Sequence, residues 1–153
     1  MRLSSILALG QYYSVHKSGL FDVEYYIEGS GPFRRKILPP LVHFLTEGGA
    51  AGLSPHPLFD SGWYLTQNPE LKANRANPLV HYLQRGAWQG RDPNPYFDTK
   101  WYLAHNKDVA EAGINPLVHY LKHGAAEGRD PSPKFDTQWY VWRAAGSVDT
   151  QLS

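Results

Sequence analysis

Three histidines recur at a single interval, His43, His81 and His119 lying 38 residues apart. A neutral imidazole can relay a proton, ligate a metal or accept a hydrogen bond. His119 is followed one helical turn later by His123, with Glu127 beyond, and the four-residue spacing is that of two zinc ligands sharing a helix face. The pattern is incomplete, because Tyr120 rather than a glutamate follows His119 and Gly124 intervenes before Glu127. The copies also carry Glu47 and Arg85 in place of His123. These residues predict no metal site. The recurrent histidines are expected instead to form hydrogen bonds within or between units, since a buried imidazole requires a partner.

Other chemistry is sparse. The nearest acidic pair, Asp22-Val23-Glu24, opens a repeat, where its aspartate is better explained as a helix cap. No glycine-rich turn is placed to cradle phosphate, and no Ser/His/Asp order or carboxylate pair stands out, so neither catalytic residues nor a cofactor are expected. Cysteine is absent, which excludes disulfides, thiolate metal sites and cysteine nucleophiles. Arg34, Arg35 and Lys36 form the only basic cluster and could contact an anion, although so short a run is ordinarily solvated. Trp63, Trp101 and Trp139, each followed by tyrosine, could stack on sugar rings, but aromatics repeated at one helical position are expected to pack. Trp88 differs: its counterpart in the next unit is Ala126, so no shared core requires it. Trp88 is therefore the leading candidate for a partner or glycan contact, joined by Arg34, Arg35, Lys36 and the apolar Trp142 near the C-terminal end.

The elements that position these residues follow from the period. Phe21-Asp22, Phe59-Asp60, Phe97-Asp98 and Phe135-Asp136 keep the 38-residue interval, and residues 59–96 and 97–134 are identical at 20 of 38 positions. Each unit opens with an aspartate able to cap a short aromatic helix. Asn68-Pro69 and Asn106-Lys107 predict a second brief turn with asparagine as its cap. Asn77-Pro78-Leu79-Val80-His81-Tyr82-Leu83 and its copy at 115–121 predict a helix of about two turns, ended by Gly86 or Gly124. Leu79, Tyr82 and Leu83 share one face of it, while Val80 and His81 point elsewhere. Gly-Arg-Asp-Pro-x-Pro at 90–95 and 128–133 forbids helix and predicts an extended crossover.

So short a helix cannot fold alone. The fold class expected is therefore all-α, a tandem solenoid-like array of short-helix repeats. Its divisions are an N-terminal helical cap at 1–20, a degenerate repeat one at 21–58, repeat two at 59–96, repeat three at 97–134, and a truncated fourth repeat or C-terminal cap at 135–153. In the cap, Leu3, Ile6, Leu7 and Tyr13 have the spacing to pack on the array. In repeat one, residues 28–37 replace the second turn with a loop.

Fifteen basic and fourteen acidic residues leave a formal charge of +1, too balanced for a nucleic-acid footprint. No apolar run approaches the roughly 20 residues of a membrane span. Met1 to Gly10 lacks a cleavage signature and reads as mature sequence, consistent with a cytoplasmic protein.

The unit at 97–133, Phe-Asp-x-x-Trp-Tyr-Leu-x-x-Asn followed by Asn-Pro-Leu-Val-His-Tyr-Leu and Gly-Arg-Asp-Pro-Ser-Pro, closely resembles tandem repeats carried by bacterial glycosyltransferases and other proteins of surface-polysaccharide synthesis. The resemblance covers roughly residues 18–143, and repeat one departs from it at 28–40. It implies an accessory region beside a catalytic domain, with no catalytic residue to carry over. The expected function is a non-catalytic module binding a protein partner, such as a glycosyltransferase or a polysaccharide export component. A glycan-binding module using exposed aromatics and a fragment of a repeat-bearing glycosyltransferase are the alternatives.

Overall fold

The computed structural model describes residues 3–31 and 38–138, with side chains from Ser5 onward. Arg34, Arg35, Lys36 and Trp142 lie outside the described residues, as do residues 139–153. Among the described residues the protein is built from short helices with no β-strand, only isolated bridges such as His56 to Phe59. No helix among them is long and apolar enough to cross a membrane. The chain divides into two compact units, residues 1–95 and 96–153.

The first unit begins with α1, Leu3–Ser18. The Ser18 hydroxyl closes this helix by donating to the Val15 carbonyl and accepting from the Leu20 amide, and Gly19 follows at φ 75°, the left-handed conformation that glycine adopts without steric cost. Repeat one then supplies α2, Val23–Ser30, and α3, Pro40–His43. Repeat two supplies α4, Ser61–Gln67, α5, Pro69–Ala73, and α6, Pro78–His81. In the second unit the corresponding helices are α7, Thr99–His105, α8, Lys107–Glu111, and α9, Pro116–His119. The predicted caps are present: Asp22, Asp60 and Asp98 accept from the amides of Tyr25, Trp63 and Trp101 at 2.9–3.0 Å. Asn77 and Asn115 likewise accept from Val80 and Val118. These caps satisfy amides that the first helical turn leaves unpaired.

The helical stretches end at Gly86 and Gly124 as expected, but not through a left-handed glycine cap. α3, α6 and α9 each continue into a π turn, Phe44–Gly48, Tyr82–Gly86 and Tyr120–Gly124, and the residue after each glycine stays right-handed helical. The left-handed glycines come later, at Gly52, Gly90 and Gly128, where the chain turns toward the proline-rich segment. That segment closes each repeat on its own beginning. Asp22, Asp60 and Asp98 donate their amides to the carbonyls of Pro55, Pro93 and Pro131.

The core of each repeat is a cluster of three rings. In repeat two, Phe59, Tyr64 and Tyr82 are fully buried, with Tyr64 and Tyr82 edge-to-face at 6.0 Å. Phe97, Tyr102 and Tyr120 reproduce the arrangement in the second unit, and Phe21, Tyr26 and Phe44 do so in repeat one. Edge-to-face rings add to the stabilisation from buried area alone. Val80, off the face shared by Leu79, Tyr82 and Leu83, is also buried, as suits a helix with neighbours on both sides. Within the first unit, Asn77 caps α6 with its oxygen and gives its side-chain NH2 to the Phe44 carbonyl at 3.0 Å. One side chain thereby starts a helix and ties repeat two to repeat one.

The N-terminal segment is helical as expected, but not by the expected packing. Ile6, Leu7 and Tyr13 are exposed, and the buried positions of α1 are Val15 and Ser18. The inward face is narrow and partly polar because the helix seats its C-terminal half on the fold.

Candidate functional site

The recurrent histidine is the centre of a motif shared by all three repeats. Tyr26, Tyr64 and Tyr102 on the first helix place their hydroxyls 2.6, 2.8 and 2.8 Å from Nδ1 of His43, His81 and His119. Burial pushes the Tyr64 and Tyr102 hydroxyls well above the usual phenol range and lowers the pKa of His81 and His119. Both shifts favour a neutral pair in which the tyrosine donates and the imidazole accepts.

The π turn and its glycine make room for this hydrogen bond. A Cβ at Gly48, Gly86 or Gly124 would lie 1.9, 2.1 or 2.3 Å from the tyrosine oxygen. Any side chain there would displace the phenol. The glycine is therefore needed for close approach and not for a left-handed cap, and the widened turn is the kind of local departure from α geometry that accommodates such an approach.

Among the described residues, a second motif occurs only in repeats two and three. Arg129 donates to Asn106 at 3.0 Å, to both oxygens of Asp108 at 2.8–2.9 Å and to Glu127 at 2.7 Å. Arg91 donates in the same way to Asn68 and Glu70. The Arg129 hydrogen bond holds the Asp108 carboxyl down to about 2, and the Arg91 hydrogen bond lowers that of Glu70. The paired guanidinium is bidentate on Asp108, the geometry that makes arginine a directional clamp. Asn68 and Asn106 are not side-chain caps of the following helices. Each gives its NH2 to a carbonyl of the preceding helix, Tyr64 or Tyr102, at 2.8 Å, leaving its oxygen for the arginine. The clamp was missed in sequence, although the arginine of Gly-Arg-Asp-Pro recurs in step with that asparagine and with the carboxylate two residues after it.

The residues singled out for chemistry are scattered. His119 spends Nδ1 on Tyr102; His123 is exposed, with its ring 5.8 Å from that of His119; Glu127 is engaged by Arg129. Trp63 and Trp101 are half-buried, and the neighbouring Tyr64 and Tyr102 fill the core in their place. Trp101 instead stacks on exposed His105 at 4.0 Å. The packing assigned to the tryptophans thus belongs to the tyrosines, because the residue after tryptophan is the one that faces the histidine helix. Trp88 is 48% exposed, on the turn that follows the π segment of repeat two. Comparison with protein-family models, curated proteins and solved structures finds no match to this chain.

Proposed function

We propose that this chain is a non-catalytic, solenoid-like repeat module that binds a protein, in the setting of bacterial surface-polysaccharide synthesis that its repeat motif resembles. The observation that carries the reading is Trp88. Repeats one and three place Ala50 and Ala126 at the same position, so the large side chain is not part of the shared architecture, and nearly half its surface faces solvent. A rigid, amphipathic ring held on a fixed turn is the side-chain type that dominates protein-binding energetics. The recurrent polar groups support the same reading from the other side. Tyr26, Tyr64 and Tyr102 are engaged with the recurrent histidines, and Arg91 and Arg129 with Asn68 and Asn106, which is the behaviour of scaffold residues.

The test is affinity capture from a polysaccharide-producing bacterial host, with partners identified by mass spectrometry, beside a nucleotide-sugar turnover assay on the purified protein. The reading expects a transferase or export component that is lost with Trp88→Ala while the thermal melt is unchanged. Turnover of a nucleotide sugar by the pure chain would refute it. A second reading, glycan binding, draws on the half-exposed Trp63 and Trp101. Binding on a glycan array that disappears with Trp101→Ala and persists with Trp88→Ala would favour it.

A further inference from the structure

Helix α1 carries its apolar residues on the wrong side for a surface helix. Helices on a folded domain turn an apolar stripe inward and a polar face to water. Here Val15 and Ser18 are buried, while Ile6, Leu9, Tyr12 and Tyr13 are 56%, 63%, 43% and 63% exposed. Ile6, Leu9 and Tyr13 follow the i, i+3, i+7 spacing of a helix-packing seam, and Leu7, 64% exposed, extends the apolar surface at its flank. No charged residue lies between Ser5 and Tyr13. Contiguous exposed apolar surface of this kind marks an interaction site.

Beside this seam runs a groove of about 490 Å³, walled on one side by Leu9 and Tyr12 of α1 and on the other by Val42 and Leu45. Ser5, Gln11 and Thr46 also line it, the Thr46 hydroxyl already bonded to the Val42 carbonyl at 2.8 Å, but most of the lining surface is apolar. The groove therefore offers apolar walls to an incoming side chain, and it lies next to the exposed side chains that would fill such a groove.

We propose that the chain pairs with a second copy of itself through α1, each copy laying its seam into the other's groove. A two-fold contact places one patch against itself, so it requires a surface that carries both the projecting groups and the depression that receives them. This surface carries both. The exposed surfaces of Ile6, Leu7, Leu9, Tyr12 and Tyr13 amount to roughly 600 Å² per copy, at the lower end of the ~600–1,000 Å² per partner of a stable interface. The charge pattern is compatible, since the seam is uncharged and the formal charge of +1 gives two copies little mutual repulsion. A lipid surface fits less well: interfacial helices pair an apolar face with several basic residues, and among the described residues of α1 only Lys17 is a fixed cation.

Sedimentation equilibrium of the full chain over a concentration series tests the pairing. The expected result is a species of twice the monomer mass that is lost in Leu9→Lys/Tyr13→Lys, with far-ultraviolet circular dichroism and melting temperature retained because both side chains are exposed. Should that variant not fold, Leu9→Cys decides the question, because the chain has no other cysteine. Mild oxidation should cross-link Leu9→Cys into a covalent dimer and leave Lys100→Cys, exposed and outside α1, monomeric. A wild-type monomer at every concentration, a dimer that survives Leu9→Lys/Tyr13→Lys, or equal cross-linking of the two cysteine variants would overturn the proposal. So would a monomer that floats with anionic phospholipid vesicles, which would transfer the face to a membrane.

Discussion

Repeat one and repeat three share an interior and differ in what surrounds it. Both have the three-ring core and the tyrosine–histidine hydrogen bond set over a glycine in a π turn. Repeat three adds a five-residue helix, α8, locked by Arg129 through Asn106 and Asp108. Repeat one has Ser30 and Leu53 at the positions of Asn68 and Arg91, so it cannot form the clamp. It also leaves Nε2 of His43 buried without a hydrogen bond, 3.7 Å from Glu47. The difference separates two roles. The ring cluster with its Tyr–His–Gly motif specifies the repeat, since it persists when much of the rest has diverged. The arginine clamp fastens the middle helix to the closing loop and is dispensable to the core.

The sharpest way to break this comparison is to fill the shared space. Gly124→Ala should destabilise the second unit by about 3 kcal/mol or more, because the added methyl displaces the Tyr102 hydroxyl and strands a buried imidazole nitrogen. Gly48→Ala should do comparable damage in repeat one despite its missing clamp. Chemical denaturation monitored by tryptophan fluorescence checks both, and a neutral Gly124→Ala would remove the structural meaning assigned to the π turn.

Tyr102→Phe keeps the ring and removes only the donor. The expected cost is about 1–3 kcal/mol, that of an unsatisfied buried acceptor. In combination with Gly124→Ala the losses should be clearly less than additive, since the methyl then meets no hydroxyl. A double-mutant cycle measures that coupling; strict additivity would mean that the glycine and the phenol act separately.

Arg129→Leu gives repeat three the side chain that repeat one has at Leu53. Melting should shift downward by less than for Tyr102→Phe, and amide exchange should accelerate in α8 while remaining slow at Val118 and His119. Equal acceleration in both helices would show that the clamp supports the core after all.

The smallest effect is on pH. Burial holds the pKa of His81 and His119 below the ordinary histidine value of about 6.5. In that case the unfolded chain binds protons before the folded one does. Their contribution to stability is therefore fully present above that value and is lost as pH falls through the lower folded values. Denaturation midpoints should drop between about pH 7 and pH 5. His119→Asn, which keeps an acceptor near the Tyr102 hydroxyl but does not titrate, should flatten the dependence; an unchanged slope would assign it to other groups.

Much of the fold was legible because its signals are local. The aspartate caps at 22, 60 and 98 and the Asn-Pro helix starts at 77 and 115 act within three residues of themselves, so residue type and spacing sufficed to place them. The candidate contact at Trp88 was legible for a different reason: the repeat itself supplied the comparison that marked it as extra. By contrast, the clamp joins residues 23 apart and the tyrosine–histidine pair residues 17 apart, and no local rule connects them.

By itself, then, the sequence determined the 38-residue period, the predominantly helical character, the order of the helices and most of their starts, since capping and chain-breaking are properties of a few consecutive residues. Only the tertiary structure decided that Gly86 and Gly124 admit a phenol at the helix end, and that the side chains of Asn68 and Asn106 bond back to the preceding helix instead of capping the one they start. It also decided that the tyrosines rather than the neighbouring tryptophans form the core and that α1 turns its apolar face to solvent. Each of these depends on which side chain arrives from elsewhere in the fold. A glycine or an asparagine has the same local propensity whether a buried hydroxyl or a guanidinium comes to meet it or not.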